Sequence, residues 1–263
     1  MDIRSIPFLK GNLSFMYIDE GFSTDEKWCV DHTYLVRISP NGNLEHLKMQ
    51  ANLTNAAHKN DRRIPFVHEV GVYDDKPYMV LDYIEGENGR VVLPKLSKNV
   101  QYRIGQQVGQ TIYKMHQISA PSSYPSWDQQ GISQVERLLP RFEDIATGDN
   151  RYEKVARFVI DNLHLIAGRP SCVQHHDFHP GNILIHEEQF TGLIDMEKVR
   201  YADPMNEFKK MEYFNVSISK DYSRGVFDGY HDNGPIPLLF GNCTDYTLRF
   251  TLYLRKFGLM KSR

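Results

Sequence analysis

Residues 172–195 read CVQHHDFHPGNILIHEEQFTGLID, and this stretch decides how the rest of the chain is interpreted. It contains two short apolar runs, residues 183–185 (ILI) and 192–194 (GLI), on either side of a polar tip at residues 187–189. Two short apolar runs joined by a polar turn are typical of a β-hairpin. The stretch therefore predicts a hairpin embedded in the second half of the chain.

This hairpin would bring three oxygen-bearing side chains together. Asn182 precedes the first strand and Asp195 follows the second, so the two become neighbours although thirteen positions separate them. Asp177 lies five positions before Asn182 on the same loop. Mg²⁺ prefers carboxylate and amide oxygens and completes its shell with water and substrate phosphates. The spacing Asp177-x4-Asn182 is also that of a kinase catalytic loop, in which the Asp accepts the substrate hydroxyl proton and the Asn holds a metal.

The first third of the chain is rich in strands. Apolar and β-branched runs bounded by turn residues predict five strands, with one helix-forming run between the third and the fourth. The predicted strands cover residues 14–22, 26–32, 33–39, 66–73 and 77–84, and the predicted helix covers residues 44–60. Together they form an antiparallel sheet with one helix, assigned to a first domain of residues 1–86.

Helices dominate after residues 85–89, which are polar, contain glycine and resemble a linker. Residues 97–119 carry a single apolar helical stripe with Ser97 as N-cap. The stripe consists of Val100, Ile104, Val108, Ile112 and Met115. Further helices are predicted at residues 133–146, 152–167 and 244–257. The predicted fold class is therefore α+β and bilobal, with a small antiparallel-sheet N-lobe and a larger, mainly helical C-lobe over residues 87–263.

Composition excludes several function classes. Lys plus Arg is 31 and Asp plus Glu is 33, a formal net charge of −2, which leaves no basic footprint for nucleic acid or an anionic membrane. The three cysteines are far apart and form no CxxC, so we expect reduced thiols rather than a zinc ribbon. Residues 1–20 lack a signal-peptide pattern, and no apolar run approaches the ~20 residues that cross a bilayer. We therefore expect a cytoplasmic protein without nucleic-acid or membrane partners.

Two stretches resemble the aminoglycoside phosphotransferase family, a branch of the protein-kinase-like fold that also contains choline and other small-molecule kinases. HHDFHPGNIL is similar to the catalytic loop of the family, and LIDMEKVRYADP is similar to its metal-binding segment. The matching residues are His175, Asp177, His179 and Asn182 in the first and Asp195, Asp203 and Pro204 in the second. The weaker matches GFSTDEKW, TYLVRIS and YMVLDYIEG extend the resemblance over roughly residues 15–210.

The resemblance implies a role for individual residues. Asp177 would be the catalytic base or would orient the acceptor hydroxyl, and Asn182 and Asp195 would bind Mg²⁺. Arg37 would contact the α- and β-phosphates of ATP or GTP.

Three further positions would contact the nucleotide. The turn at residues 21–25, including Ser23, would cover its phosphates. Backbone groups of Asp82 and Ile84 would hydrogen-bond the edge of the adenine or guanine base.

The sequence departs from the family pattern at two positions that matter. His176 replaces the usual Gly, which makes the catalytic loop bulkier and its backbone less free. Gln50 stands where the family has a Glu on the helix. That Glu pairs with the Lys or Arg side chain that contacts the phosphates. A neutral amide can hydrogen-bond Arg37 but cannot form an ion pair with it. Glu45 and Glu20 are candidate substitutes.

The implied function is that of a small-molecule kinase, a phosphotransferase with an alcohol group as acceptor. The acceptor would be an aminoglycoside or another antibiotic, which would make the protein a resistance enzyme. The alternatives are a metabolic kinase for choline, a sugar or an amine, a nucleotide-binding pseudokinase, and a metal hydrolase. The hydrolase would use the cluster of His175, His176, Asp177 and His179. A cationic acceptor would be attracted by acidic C-lobe residues, among them Glu136, Glu143, Asp144, Glu207, Glu212, Asp228 and Asp232.

Overall fold

The computed structural model describes residues 3–11, 13–19, 24–145 and 150–232. Its first part is a five-stranded antiparallel sheet with strand order β1-β2-β3-β5-β4. The strands are β1 (Phe15–Ile18), β2 (Glu26–Val30), β3 (Tyr34–Ile38), β4 (Val67–Tyr73) and β5 (Lys76–Asp82). The predicted five-stranded sheet is confirmed.

Helix α1 (Leu44–Asn60) lies between β3 and β4, with the bounds that the sequence predicts. The side chain of Asn43 caps it by accepting a hydrogen bond from the backbone N–H of His46 at 3.0 Å. One part of α1 packs on the sheet through Leu47 and Ala51. Leu53 and Ala57 belong instead to the large core of the C-lobe, so α1 connects the two halves of the molecule.

The second part is mainly helical, as predicted. Its elements are β6 (Glu87–Asn88), α2 (Gly89–Val92), α3 (Lys98–His116), α4 (Trp127–Ile145), α5 (Asn150–Asp161), β7 (Cys172–Gln174), β8 (Ile183–His186), β9 (Gln189–Leu193), β10 (Arg200–Ala202) and α6 (Lys220–Tyr230). Short 3₁₀ helices cover Leu93–Lys95, Leu163–Ile166, Pro180–Asn182, Met196–Lys198 and Pro204–Lys210, and a π-helix covers Met211–Val216. The helix predicted at residues 244–257 lies outside the described residues.

Residues 87–89 of the predicted linker form regular elements of the C-lobe. Glu87 and Asn88 form β6, which pairs antiparallel with β8 and turns the predicted hairpin into a three-stranded sheet. The Asn88 side chain caps α2 and donates to the carbonyl of Gly181 at 2.9 Å. The polar side chain of Asn88 therefore contributes hydrogen bonds to the C-lobe.

A second small sheet was not predicted. β7 pairs antiparallel with β10, which places Cys172–Gln174 beside Arg200–Ala202. Each strand has only three residues, which is too short for a periodicity signal. The pair fixes the start of the catalytic-loop segment against the segment that follows Asp195.

The apolar stripe of α3 is buried as predicted: Ile104, Val108, Ile112 and Met115 are fully buried. Helix α6, which was not predicted, crosses α3 at close range through two glycines on each helix. A Cβ atom on Gly109 would lie 2.1 Å from the carbonyl oxygen of Val226, and one on Gly229 would lie 2.1 Å from that of Gln106. The spacings Gly105-x3-Gly109 and Gly225-x3-Gly229 are the sequence signal for this crossing.

Two observations concern the predicted cellular environment. Cys29 and Cys172 are buried and unpaired with each other, and Cys243 lies outside the described residues. Within the described ranges, no helix combines the length and the apolar character needed to span a bilayer.

Candidate active site

The hairpin places Asn182 beside Asp195, as the sequence predicts. β8 and β9 pair with Ile183 opposite Leu193, so their open end lies at Asn182 and Ile194. The backbone N–H of Ile194 donates to the carbonyl of Asn182 at 2.9 Å. The two candidate metal ligands are therefore adjacent at one end of the sheet.

Both side chains keep oxygen atoms that no hydrogen bond from the described residues occupies. Asn182 is buried, and its Nδ2 donates to the backbone carbonyl of Asp177 at 2.9 Å. This leaves its Oδ1 without a hydrogen bond from the described residues. Asp195 is exposed, has left-handed backbone angles (φ 66°, ψ 56°), and forms no side-chain cap on the 3₁₀ helix that follows it.

Two adjacent oxygen ligands and access to solvent fit a hard cation that completes its shell with water and phosphate oxygens. No cluster of three or more His, Cys, Asp or Glu side chains suited to metal binding exists within the described residues. Asn182 and Asp195 by themselves supply too few oxygen atoms to complete the shell of such an ion.

Asp177 lies on the same loop, with its carboxylate engaged. Lys198 Nζ lies 2.6 Å from Asp177 Oδ2, and the Asp177 side chain is mostly buried whereas that of Lys198 is half exposed. The sequence analysis missed Lys198. The sequence feature that could have indicated it is the charged pair Glu197-Lys198, which lies two and three positions after Asp195.

The histidines of the loop have structural partners. His175 is fully buried, its Nε2 donates to the carbonyl of Ile194 at 2.7 Å, and its Nδ1 accepts from the N–H of Asp177 at 3.2 Å. His179 Nδ1 accepts from the N–H of Gly181 at 3.0 Å. Because both ring nitrogens of His175 are occupied and His179 bonds its own loop, the arrangement does not favour a zinc hydrolase.

Glu207 holds the backbone of the catalytic loop. Its buried carboxylate accepts from the N–H of His175 at 2.7 Å and from that of His176 at 2.9 Å. His116 Nε2 lies 3.6 Å from Glu207 Oε2, an ion-pair distance, and both side chains are buried. Burial by itself would raise the pKa of Glu207, but the interactions with His116, His175 and His176 lower it to about 2.

His176 adopts the conformation that a glycine would adopt most easily. Its φ is 65°, in the left-handed region, and Asn206 Nδ2 approaches its Nδ1 at 3.2 Å. Glycine adopts this left-handed conformation without strain, which explains why the family usually has Gly at this position. His176 adopts the same conformation with strain.

Arg37 lies on β3, and its guanidinium group lies beside two carboxylates and one amide of the described residues. Nε is 3.1 Å from Asp25 Oδ2, Nη1 is 3.1 Å from Glu197 Oε1, and Nη2 donates to Gln50 Oε1 at 3.0 Å. The predicted contact with Gln50 is present, but the ion-pair partners are Asp25 and Glu197, which the sequence analysis did not propose. Glu45 is not a substitute, because it is exposed and pairs with Lys48.

Asp82 and Ile84, which are predicted to hydrogen-bond the adenine or guanine base, lie at the end of β5 and just after it. The N–H of Asp82 donates to the carbonyl of Phe66, and its carboxylate accepts from the N–H of Phe66 at 2.8 Å and from His68 at 2.7 Å. The N–H of Ile84 bonds none of the described residues, and its side chain lies against Gly192 of β9. Ser23, Gly21, Phe22 and Glu20 lie outside the described residues.

Asp203, near the end of the segment LIDMEKVRYADP, is held by hydrogen bonds on both carboxylate oxygens. Arg169 donates to both carboxylate oxygens of Asp203, at 2.6 Å and 2.9 Å. Asp203 Oδ1 also accepts from the N–H of Met205 at 2.9 Å. Asp203 therefore stabilises the turn after β10.

Comparison with known protein families shows to which family the chain belongs. Residues 14–235 match the phosphotransferase enzyme family, abbreviated APH. The chain belongs to this family. It is therefore a phosphotransferase, and the resemblance noted from the two sequence stretches is confirmed. A search of curated proteins finds no match.

Solved structures share the fold of this phosphotransferase. The streptomycin–ATP–APH(2")-IIa ternary complex aligns with a TM-score of 0.65 at 16% identity, over 88% of this chain and 81% of that one. A thermostable APH(4)-Ia mutant, in complex with AMP-PNP and hygromycin B, aligns with a TM-score of 0.63 at 17% identity, over 92% and 86%. The macrolide 2'-phosphotransferase MphH from Brachybacterium faecium aligns with a TM-score of 0.61 at 15% identity, over 93% and 88%. The predicted bilobal kinase-like fold is thus confirmed.

Two of the acidic residues expected to attract an acceptor have other roles in this phosphotransferase. Glu207 is buried and holds the catalytic loop. Asp228 accepts from the hydroxyl of Tyr102 at 2.8 Å and lies 3.7 Å from Arg224. The side chains of Glu143, Asp144 and Glu212 lie outside the described part of the chain.

Proposed function

We propose that this phosphotransferase is a small-molecule kinase that transfers the γ-phosphoryl group of ATP or GTP to a hydroxyl group of its acceptor. The observation that carries the proposal is the juxtaposition of Asn182 and Asp195 beside Asp177 at one end of the β8–β9 hairpin. Phosphoryl transfer needs mainly alignment and neutralisation of charge, which such a site can supply.

Mg²⁺ would be held by Asn182 Oδ1 and the Asp195 carboxylate. The fit rests on these two adjacent oxygen donors, which no hydrogen bond from the described part of the chain occupies. When bound, the ion would neutralise part of the negative charge of the phosphates.

Asp177 would orient the acceptor hydroxyl and accept its proton. Its carboxylate lies on the loop that the Glu207 carboxylate and the Asn182 amide hold in place. Lys198, whose Nζ lies 2.6 Å from Asp177 Oδ2, would compensate the charge of Asp177 until an acceptor binds.

The nucleotide would lie between the two parts of the molecule. Each terminal nitrogen of Arg37 carries two N–H groups and has one partner among the described residues, so the second N–H groups would contact the α- and β-phosphates. The carbonyl of Asp82 and the N–H of Ile84 would bond the base, and Ser23 would belong to the turn over the phosphates. We keep the division into residues 1–86 and 87–263 as the proposed domain organisation.

For the acceptor we propose an aminoglycoside or another antibiotic, which implies a role in antibiotic resistance in the cytoplasm. Support comes from the similar structures, whose names include streptomycin, hygromycin B and a macrolide phosphotransferase. Expression of the chain in a susceptible cell, followed by antibiotic susceptibility testing, separates this acceptor from a metabolic amine or sugar. Unchanged susceptibility to the whole panel would favour the metabolic kinase.

The deciding experiment is calorimetric titration of Mg·ATP and Mg·GTP into the wild type and Asp195→Ala. We expect magnesium-dependent binding in the wild type and its loss in the variant. The preferred nucleotide then serves in an acceptor screen. Absence of binding by the folded wild type would contradict the proposal, whereas binding without transfer to any acceptor would indicate a pseudokinase.

A further inference from the structure

The buried guanidinium of Arg37 has an unusual set of partners. The Arg37 side chain is only 10% exposed, so its charge needs a nearby carboxylate. The residue that faces it from α1 is the neutral Gln50. From the C-lobe it is faced by Glu197, two positions after the candidate metal ligand Asp195.

Gln50 does what a carboxylate could not do. Its Oε1 accepts from Arg37 at 3.0 Å, while its Nε2 donates to the backbone carbonyl of Glu197. An ionised carboxylate can only accept hydrogen bonds, whereas an amide accepts through its oxygen and donates through its nitrogen. The counter-charge therefore has to come from other residues. The Glu197 side chain supplies it from the C-lobe at 3.1 Å, and the Asp25 side chain supplies it from the N-lobe at 3.1 Å.

These contacts form a closed ring between β3, α1 and the segment that follows Asp195. Arg37 contacts Gln50 and Glu197, and Gln50 contacts the backbone of Glu197. The ring ties the candidate phosphate-binding residue of the N-lobe to the candidate metal-binding segment of the C-lobe. Asp25, which immediately precedes β2, places its Oδ2 atom 3.1 Å from Nε of Arg37.

We propose that Glu197 is a positioning residue for nucleotide binding, which supplies the ion pair that orients Arg37 in place of an acidic residue on α1. This inference rests on the proposed role of Arg37 as a phosphate contact. It further implies that position 50 needs an amide, so that placing an acid there impairs the site.

The test is calorimetric titration of Mg·ATP and Mg·GTP into single variants. Glu197→Gln should raise the Kd about fivefold, and Glu197→Asp, which keeps the charge, should raise it less. Gln50→Glu should also raise the Kd, because it places a third carboxylate beside one cation and removes the donor to the Glu197 carbonyl. Glu45→Gln, which removes an exposed carboxylate from the same helix, is the matched control and should stay within about twofold.

A double-mutant cycle tests whether Glu197 acts through Arg37. Glu197→Gln should have no further effect on the Kd in an Arg37→Met background. Urea unfolding of the same four proteins reports the Arg37–Glu197 interaction independently of nucleotide. Additive effects in both measurements, an unchanged or lower Kd in Glu197→Gln, or tighter binding by Gln50→Glu would overturn the inference.

Failure of the inference and failure of the proposed function give different results. If the folded wild type binds neither nucleotide, or Arg37→Met binds as the wild type does, the proposed function or its phosphate contact is wrong. If Arg37→Met weakens binding but Glu197→Gln does not, only the role of Glu197 is wrong.

Discussion

At the scale of single residues, His176 combines an unfavourable conformation with a position next to Asp177. Its φ of 65° costs a non-glycine residue about 1 kcal/mol or more. We expect His176→Gly to change the free energy of unfolding by less than about 1 kcal/mol, because relief of strain offsets the extra flexibility of the unfolded chain. His176→Val should cost about 1–3 kcal/mol, because a β-branched residue resists this conformation.

Urea unfolding of the two His176 variants checks this prediction. A strongly destabilised His176→Gly would mean instead that the approach of Asn206 Nδ2 to His176 Nδ1, at 3.2 Å, stabilises the loop.

Asp177 allows a second prediction at this scale. Asp177→Ala removes the proposed base but leaves Asn182 Oδ1 and the Asp195 carboxylate in place. Phosphoryl transfer to an identified acceptor should fall by about 10²–10⁴-fold, whereas the Kd for Mg·ATP should change little. Transfer is measured with a coupled assay for ADP, and binding by calorimetry. Undiminished turnover in the variant would remove Asp177 from the reaction.

At the scale of elements, the crossing of α3 and α6 depends on glycine. A Cβ atom on Gly109 would meet the carbonyl oxygen of Val226 at 2.1 Å, and that oxygen belongs to backbone that cannot rotate away. Gly109→Ala should therefore destabilise the protein by about 1–3 kcal/mol, although alanine ordinarily stabilises a helix relative to glycine. The matched control is Gln110→Ala, which changes an exposed position on the same helix.

Thermal unfolding followed by circular dichroism measures the effect on this crossing. A higher Tm for Gly109→Ala than for the wild type would contradict this prediction. It would show that the two helices can move apart without loss of stability.

At the scale of the whole molecule, buried Glu207 couples stability to pH. The pKa of Glu207 in the folded protein is about 2, below its ordinary value of 4.5. The stabilisation is therefore fully present above pH 4.5 and is lost as the pH falls from 4.5 towards 2. By linkage the wild type should lose roughly 3 kcal/mol over this interval from Glu207 alone.

Glu207→Gln should be less stable at neutral pH and should show a shallower decline in acid. Urea unfolding between pH 7 and 3 measures both, with Glu45→Gln as the control at an exposed position. Parallel acid profiles for the wild type and Glu207→Gln would contradict the assigned pKa.

What the sequence determined by itself follows from short-range physics. Two apolar runs around a polar tip specify the β8–β9 hairpin, and pairing geometry then makes Asn182 and Asp195 neighbours. The predicted bounds of α1 match because its N-cap, Asn43, and its helix-forming run are local signals.

Only the tertiary structure decided which charges surround Arg37 and what holds the catalytic loop. Asp25, Gln50 and Glu197 reach Arg37 from three distant parts of the chain. A carboxylate that serves a buried partner, as Glu207 does for the N–H groups of His175 and His176, is indistinguishable in sequence from one that faces solvent. The physical reason is that burial and partner choice arise when elements pack, whereas capping, alternation and turn formation are set within a few residues.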